Sequence, residues 1–328
     1  MELLGATDPL PGAPARSVVT VGTFDGVHLG HQDVVARVVA TAAEQRQPSV
    51  VVTFEPHPLE VLNPAAAPLL LTTRAEKMEA LAGTGIDYLL VLPFTEEFAA
   101  QSAEEFVEEV LLERLRMGTL LIGHDHGFGR GREGDVETLR MLGAARSFAV
   151  DVVPPVLSPS GEVVSSTLIR RAVGTGDMAG ACAGLGRSYS VSGEVVHGEA
   201  RGRGLGFPTL NVAPDSPRKL LPADGVYAVE VASARGRFGG MLNLGGRPTF
   251  GDDRRTIEAH LFDATGDFYG ERVRVSFVER LRETKRFDSP DALKSQLAED
   301  ERAARRALTV PAGAGNLNGS TAVPPSTQ

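Results

Sequence analysis

The chain has little to offer several kinds of chemistry. Among 328 residues there is one cysteine and no tryptophan. Cys182 cannot close an internal disulfide, and its surroundings, AGACAGLG, hold no base to activate it, so it reads as a small buried residue. The longest apolar runs, Leu89–Leu92 and Thr119–Ile122, fall far short of the ~20 residues a membrane helix needs, so no membrane partner is expected. The opening stretch, MELLGATDPLPGAPARS, lacks the basic start and apolar core of a secretory signal, which makes the cytoplasm the expected location. There is no G-x-x-x-x-G-K-[ST] loop and no H-R-D loop, so the two commonest kinase architectures are excluded. No internal repeat is present.

Positive charge is also scarce. Lys and Arg number 33 against 42 Asp and Glu, a net −9, and the deficit is uneven. Residues 1–185 carry 13 basic against 24 acidic side chains, whereas residues 186–328 carry 20 against 18, so no general nucleic-acid surface is expected. Much of the acidity lies in EEFVEEVLLER, where Glu104, Glu105, Glu108 and Glu109 recur around Phe106, Val110 and Leu111 as the solvated face of a helix.

What is present alternates. From Ser17 onward, β-branched runs (SVVTVG, SVVVTFE, DYLLVLPF, TLLIG, FAVDVVPPV) are separated by helical patterns such as VVARVVATAAEQ and RAEKMEALAG. That order predicts an α/β domain, a doubly wound parallel sheet with helices on both faces and ligands beyond the carboxyl ends of the strands. After AVGTGDMAGACAGLGR the texture changes to short strands punctuated by Gly and Pro, with one helical pattern, PDALKSQLAEDERAARRAL, at the end. The expectation is an antiparallel β-barrel with a carboxy-terminal helix. The domains are placed at 17–184 and 185–307, followed by a disordered tail at 308–328 that has too little apolar surface to offset ordering.

In V-G-T-F-D-G-V-H-L-G-H, Gly22, Gly26 and Gly30 surround the end of the first strand, and His28 and His31 stand where the next helix begins. Glycines allow backbone to approach a phosphate, a helix start offers free N–H groups and positive dipole, and two imidazoles three residues apart share a helix face. Such a site would stabilise charge as pyrophosphate leaves an α-phosphate. An isolated His-x-x-His also suits structural histidines or a metal pair. Similarly, Ser-Ser-Thr before LIRRAV is an ordinary helix cap, and His124, Asp125 and His126 would suit a metal only if a strand brought them to one face. Gly129 to Gly134 spells G-x-G-x-x-G, but it stands away from any strand end and reads as coincidence. In the second half, Gly198 to Gly206 forms a glycine- and arginine-rich turn whose backbone could wrap phosphates.

These motifs together resemble the prokaryotic bifunctional riboflavin kinase/FAD synthetase family, whose amino-terminal half is an H-x-G-H nucleotidyltransferase. TFDGVHLGH, TFEPHP, GHDHGFGRGREGD and VSSTLIR match it in order, as do GRGLGFPTLNV and the stretch from NLGGRPTFGDD to RFDSPDAL. The resemblance implies a transferase that phosphorylates riboflavin to FMN and adenylylates FMN to FAD, using ATP and releasing ADP and pyrophosphate. It implies that His28 and His31 are catalytic, contacting ATP phosphates, within a nucleotide-binding loop of Gly22, Phe24, Asp25, Gly26 and Gly30. Ser166, Thr167 and Arg170 would hold the phosphate tail from the opposite side, and Asp125 and Phe128 would line the pocket near nucleotide and flavin. In the kinase half it implies nucleotide binding by Gly198, Arg203, Gly206 and Pro208, with Thr209 and Asn211 holding Mg²⁺ and phosphates. Glu258 would be the general base for the ribityl hydroxyl; periodicity alone reads it as a polar strand residue facing water. The chain departs from the family pattern at His126, Gly127 and Leu210. Lys77, Arg247 and Arg286 remain unassigned between ligand contact and surface charge. Two other readings share the motifs: one active half only, or a flavin- or nucleotide-binding regulator. Oligomeric state is left open.

Overall fold

A computed structural model of the chain describes residues 1–12, 14–124, 127–198, 206–246 and 255–309. Its first part runs β1 (Glu2–Leu4), β2 (Ser17–Val21), α1 (Leu29–Gln45), β3 (Ser49–Glu55), α2 (Pro58–Leu62), α3 (Arg74–Ala82), β4 (Tyr88–Pro93), α4 (Glu96–Ala99) and α5 (Ala103–Phe106). It continues through β5 (Met117–Gly123), α6 (Val136–Arg146), β6 (Ala149–Val153), α7 (Ser166–Thr175) and α8 (Met178–Leu185). α5 extends into π-helical turns over Val107–Arg114, with Phe106, Val110 and Leu111 buried as the acidic pattern predicted. All six strands pair in parallel, in the order β1-β4-β3-β2-β5-β6. β2 and β3 are buried on both faces, which explains their uninterrupted Val-rich sequences. Strand order reverses between β2 and β5, and a crevice opens beyond their carboxyl ends, where a doubly wound sheet binds ligand.

The expected α/β class is therefore present, with one element unforeseen. β1 adds an edge strand beside β4, held as Leu4 and Leu10 bury and as the Arg114 guanidinium donates to the Asp8 and Gly5 carbonyls at 2.6 and 2.7 Å. Three residues are too few to show a period.

The second part forms a closed antiparallel barrel of β7 (Tyr189–Val196), β8 (Leu210–Pro214), β9 (Gly225–Ser233), β10 (Gly236–Gly246), β11 (Arg255–Leu261) and β12 (Arg272–Arg282). Its order is β10-β11-β8-β7-β12-β9. α9 (Pro290–Thr309) lies outside the barrel, its Ala304 buried with Ala228, Met241 and Phe262. Alternation sends Ile257, Ala259 and Leu261 of β11 into the barrel, leaving Glu258 and His260 on the half-exposed outer face.

The two parts share a core. Leu71, Ile169, Val173 and Leu185 belong to one hydrophobic cluster with the barrel residues Tyr189, Val191 and Tyr227. Leu70 and Lys219 form an isolated parallel bridge, Leu70 N–H donating to Arg218 O and Leu220 N–H to Leu70 O, both at 2.8 Å. Beside it lies a buried ion pair, Lys219 Nζ to Glu76 Oε2 at 2.7 Å, with side chains only 1% and 6% exposed. Glu76 also accepts the Thr73 N–H, as the far half of a capping box, and the Ser192 N–H of β7, both at 2.9 Å. One carboxylate thus starts a helix and docks a barrel strand. Lys219→Met would leave Glu76 charged and buried without its cation, at a cost of about 3–5 kcal/mol. A matching fall in urea-unfolding free energy is expected, with part recovered by adding Glu76→Gln.

Candidate functional site

The loop from Gly22 to His28 connects β2 to α1 and is bent against backbone preference. Phe24, Gly26 and Val27 have φ of 49°, 84° and 40°. Glycine accepts such angles freely, whereas a β-branched valine in the left-handed region costs on the order of 1–3 kcal/mol and persists only where its surroundings impose it. The Phe24 and Val27 side chains are buried in an apolar cluster with Val35, Val51, Leu81, Ile86 and Leu89, while the loop backbone is held by polar groups. The buried Asp25 carboxylate accepts the Leu71 and Thr72 N–H groups, each at 3.0 Å, and the Gly26 N–H donates to Thr72 Oγ1 at 3.0 Å.

This bend delivers His28 as the N-cap of α1, its Nδ1 accepting the His31 N–H at 3.3 Å. That bond requires the Nε2–H tautomer in the neutral ring. The His28 and His31 rings stack with centroids 3.6 Å apart, and Phe24 tilts against His31 at 5.1 Å. Burial first, then the neighbouring His28 and Lys77, hold the His31 imidazole well below its ordinary range, so it stays neutral. Its Nδ1 is buried with no hydrogen-bond partner among the described residues. Such an orphaned atom beside a helix start is a place for a ligand to bind.

Opposite stands the start of α7. Ser165 is its N-cap, accepting the Leu168 N–H at 3.2 Å, so the ordinary capping role falls to Ser165 and not to the next two residues. The two helix starts are close: a Cβ on Gly30 would come within 3.5 Å of Val164 O. Between them lies a cavity of about 660 Å³ at the carboxyl ends of the sheet, lined by Gly22, Phe24, His28, Gly30, His31, Ser166, Thr167 and Phe128 among others. Its size suits a nucleotide-sized ligand.

Not every expected residue reaches it. Asp25, Gly26 and Arg170 do not line the cavity. Arg170 spends its guanidinium on Asp25 at 2.5 Å and on Leu69 O at 2.9 Å, while Ser166 Oγ donates to Asp25 O at 2.9 Å. Asp25 and Arg170 pair with each other beneath the loop, each neutralising the other's buried charge. Lys77 also lies below the floor, donating to Phe54 O at 3.1 Å and Thr23 O at 3.4 Å, with Glu55 at 3.4 Å. Arg286 is exposed, whereas Asp125, Arg203 and Arg247 lie outside the described residues. The G-x-G-x-x-G run sits between β5, which ends at Gly123, and α6, which starts at Val136, so it lacks the strand–turn–helix succession of a dinucleotide fingerprint.

Of the far end of the cavity the sequence disclosed only Phe128. Phe54, Phe94, Phe98, Phe106 and Phe128 meet edge to face or tilted, with centroids 5.1–6.4 Å apart. These five of the chain's 14 phenylalanines wall one end of the pocket, which Phe24 also lines. They come from β3, the β4–α4 connection, α4, α5 and the β5–α6 connection, so no local period joined them.

The barrel gathers a second group. Antiparallel register sets Glu258 of β11 beside Asn211 of β8 and Asn243 of β10. Thr209 stands two residues before Asn211, immediately ahead of β8. A Cβ on Gly198 would fall 2.0 Å from Asn211 Nδ2, so glycine is required there for the amide to lie where it does. Gly206 turns with φ of 87°, and Pro208 O accepts a hydrogen bond from His260 Nδ1 at 2.8 Å. Among the described residues no hydrogen bond or ion pair occupies the Glu258 carboxylate. Thr, Asn and Glu offer only hard oxygen donors, which fits Mg²⁺.

A family model described as FAD synthetase matches residues 11–168, and one described as riboflavin kinase matches residues 185–308. The bifunctional riboflavin kinase/FMN adenylyltransferase of Escherichia coli (strain K12) is 39% identical over 316 residues, covering 95% of this chain and all of that one. Its counterpart from Pseudomonas fluorescens is 40% identical over 312 residues, covering 95% of this chain and 99% of its own. A solved chain from Streptococcus pneumoniae, described as a macrolide-efflux protein, superposes with a TM-score of 0.80 at 35% identity, covering 90% of this chain and 95% of its own. That description does not alter the assignment, because both family models match this chain in order. With the loop, the paired histidines and the barrel carboxylate on matching segments, the chain belongs to the bifunctional riboflavin kinase/FMN adenylyltransferase family.

Proposed function

We propose that the chain converts riboflavin to FAD in two ATP-dependent transfers, one in each half. The observation that carries the first-half reading is the orphaned, buried His31 Nδ1 between two helix starts that face each other across one cavity. In adenylyl transfer an FMN phosphate oxygen attacks the α-phosphorus of ATP, and the bond to the leaving pyrophosphate breaks. His28, His31 and the N–H groups of α1 and α7 stabilise the charge that develops there, with Ser166 and Thr167 on the tail side. The phenylalanine wall offers the flat apolar surface that a flavin ring requires, its rings meeting the isoalloxazine by stacking or by edge.

In the barrel, Glu258 takes the proton of the ribityl hydroxyl as its oxygen attacks the γ-phosphorus and ADP departs. Thr209 and Asn211 would hold Mg²⁺, which when bound offsets the phosphate charge. The domain division at 184/185, a cytoplasmic location and the absence of nucleic-acid or membrane partners belong to the same reading.

Riboflavin, ATP and Mg²⁺ supplied to the intact chain should give FAD on chromatography. Glu258→Gln should lower riboflavin phosphorylation about 10²- to 10⁴-fold and leave adenylylation of supplied FMN unchanged. His31→Ala should do the reverse, by about 10²- to 10³-fold. A variant that lowers both activities equally would count against two separate sites. His31 also sets a pH dependence. The unfolded chain protonates this residue near pH ~6.5, whereas burial keeps the folded residue neutral to lower pH. The unfolded state then binds the extra proton, so stability should fall as pH drops below about 6.5. Urea midpoints at pH 7.5 and 5.5 should differ less in His31→Gln than in the parent.

A further inference from the structure

We infer that Arg187, which lies within the kinase-matched segment, is a positioning residue for adenylyl transfer, so that one half of the chain builds part of the other half's site. The inference rests on the adenylyl-transfer reading above. Arg187 follows α8, and its guanidinium donates to Gly26 O at 2.7 Å, Val27 O at 3.0 Å and Leu185 O at 3.3 Å. Gly26 and Val27 are the left-handed residues immediately before His28. From α1, Gln32 Nε2 donates to Val27 O at 2.8 Å and to Leu185 O at 2.9 Å, so the same two carbonyls are held by two side chains. A guanidinium suits this task because its planar fork reaches neighbouring carbonyls at once, which a point-like ammonium cannot. Burial lowers the Arg187 pKa, yet an arginine stays charged.

The other flank of the loop is fastened from the barrel as well. Asp25 hangs from the Leu71 and Thr72 N–H groups, and Lys219 Nζ holds Leu71 O at 2.6 Å. Both walls of the phosphate loop therefore end on residues of the second half. Arg187 itself does not line the cavity. Its influence on the reaction passes through the two peptides that set the direction of His28.

The test uses the intact chain with FMN and ATP for adenylyl transfer, and with riboflavin and ATP for phosphorylation, in the presence of Mg²⁺. In Arg187→Met and Arg187→Lys the adenylylation kcat should fall tenfold or more, with a smaller rise in KM for ATP and with phosphorylation within twofold of the parent. A few millimolar guanidinium added to Arg187→Ala should restore part of the adenylylation rate while leaving phosphorylation as it was. Unchanged adenylylation in Arg187→Met would overturn the inference. An equal loss of both activities would overturn it too, because it would mark a staple for the whole fold. A parent chain that makes no FAD from FMN would instead sink the adenylyl-transfer reading itself.

Discussion

Phe24 and Val27 hold φ angles of 49° and 40° that an isolated chain would soon leave, and the geometry of the amino-terminal site depends on their being kept there. The restraint is a ring of buried hydrogen bonds. Asp25 is tied to two amides and to Arg170, Gly26 N–H to Thr72, and the Gly26 and Val27 carbonyls to Arg187 and Gln32. Each bond adds modestly to stability in isolation, but leaving any of these groups buried and unpaired would cost more. The strained loop and its supports are therefore one cooperative unit, and the positions of His28 and His31 follow from it.

The same logic explains why an ion pair lies buried between the halves. A buried pair is poor evidence of net stabilisation, since the desolvation of both charges opposes their attraction. The Lys219–Glu76 pair contributes orientation: Glu76 starts α3, receives a barrel amide and meets a lysine that grips Leu71 O, on the residue whose amide holds Asp25. Apolar residues of like volume could fill that space without fixing the angle of barrel to sheet. The exposed pair between Arg274 and Glu79 across the same joint adds little beside it, because solvent screens it.

Charge raises a second problem, since the sheet half is strongly acidic and its ligands are polyanions. Helix starts solve it locally. Two of them, with the His28 and His31 rings stacked at one, present N–H groups and dipole to the cavity. A neutral His31 avoids repelling its neighbours Lys77 and His28 and still offers a nitrogen to a phosphate.

The sequence by itself determined the fold class, because buried parallel strands write uninterrupted Val runs and antiparallel barrel strands write alternation. It also placed His28, His31 and the glycines at a strand end, since that pattern is local. It missed β1, which is too short to carry a period, and all of the phenylalanine wall but Phe128, because the members converge from separate elements. Tertiary structure alone decided that Ser165 is the cap and Ser166 is turned to Asp25 O, that Arg170 serves Asp25 beneath the loop, and that Asn211 and Glu258 are neighbours across a ladder. These are long-range facts, set by which backbone groups need a partner once the chain has closed, and no spacing along the chain encodes them.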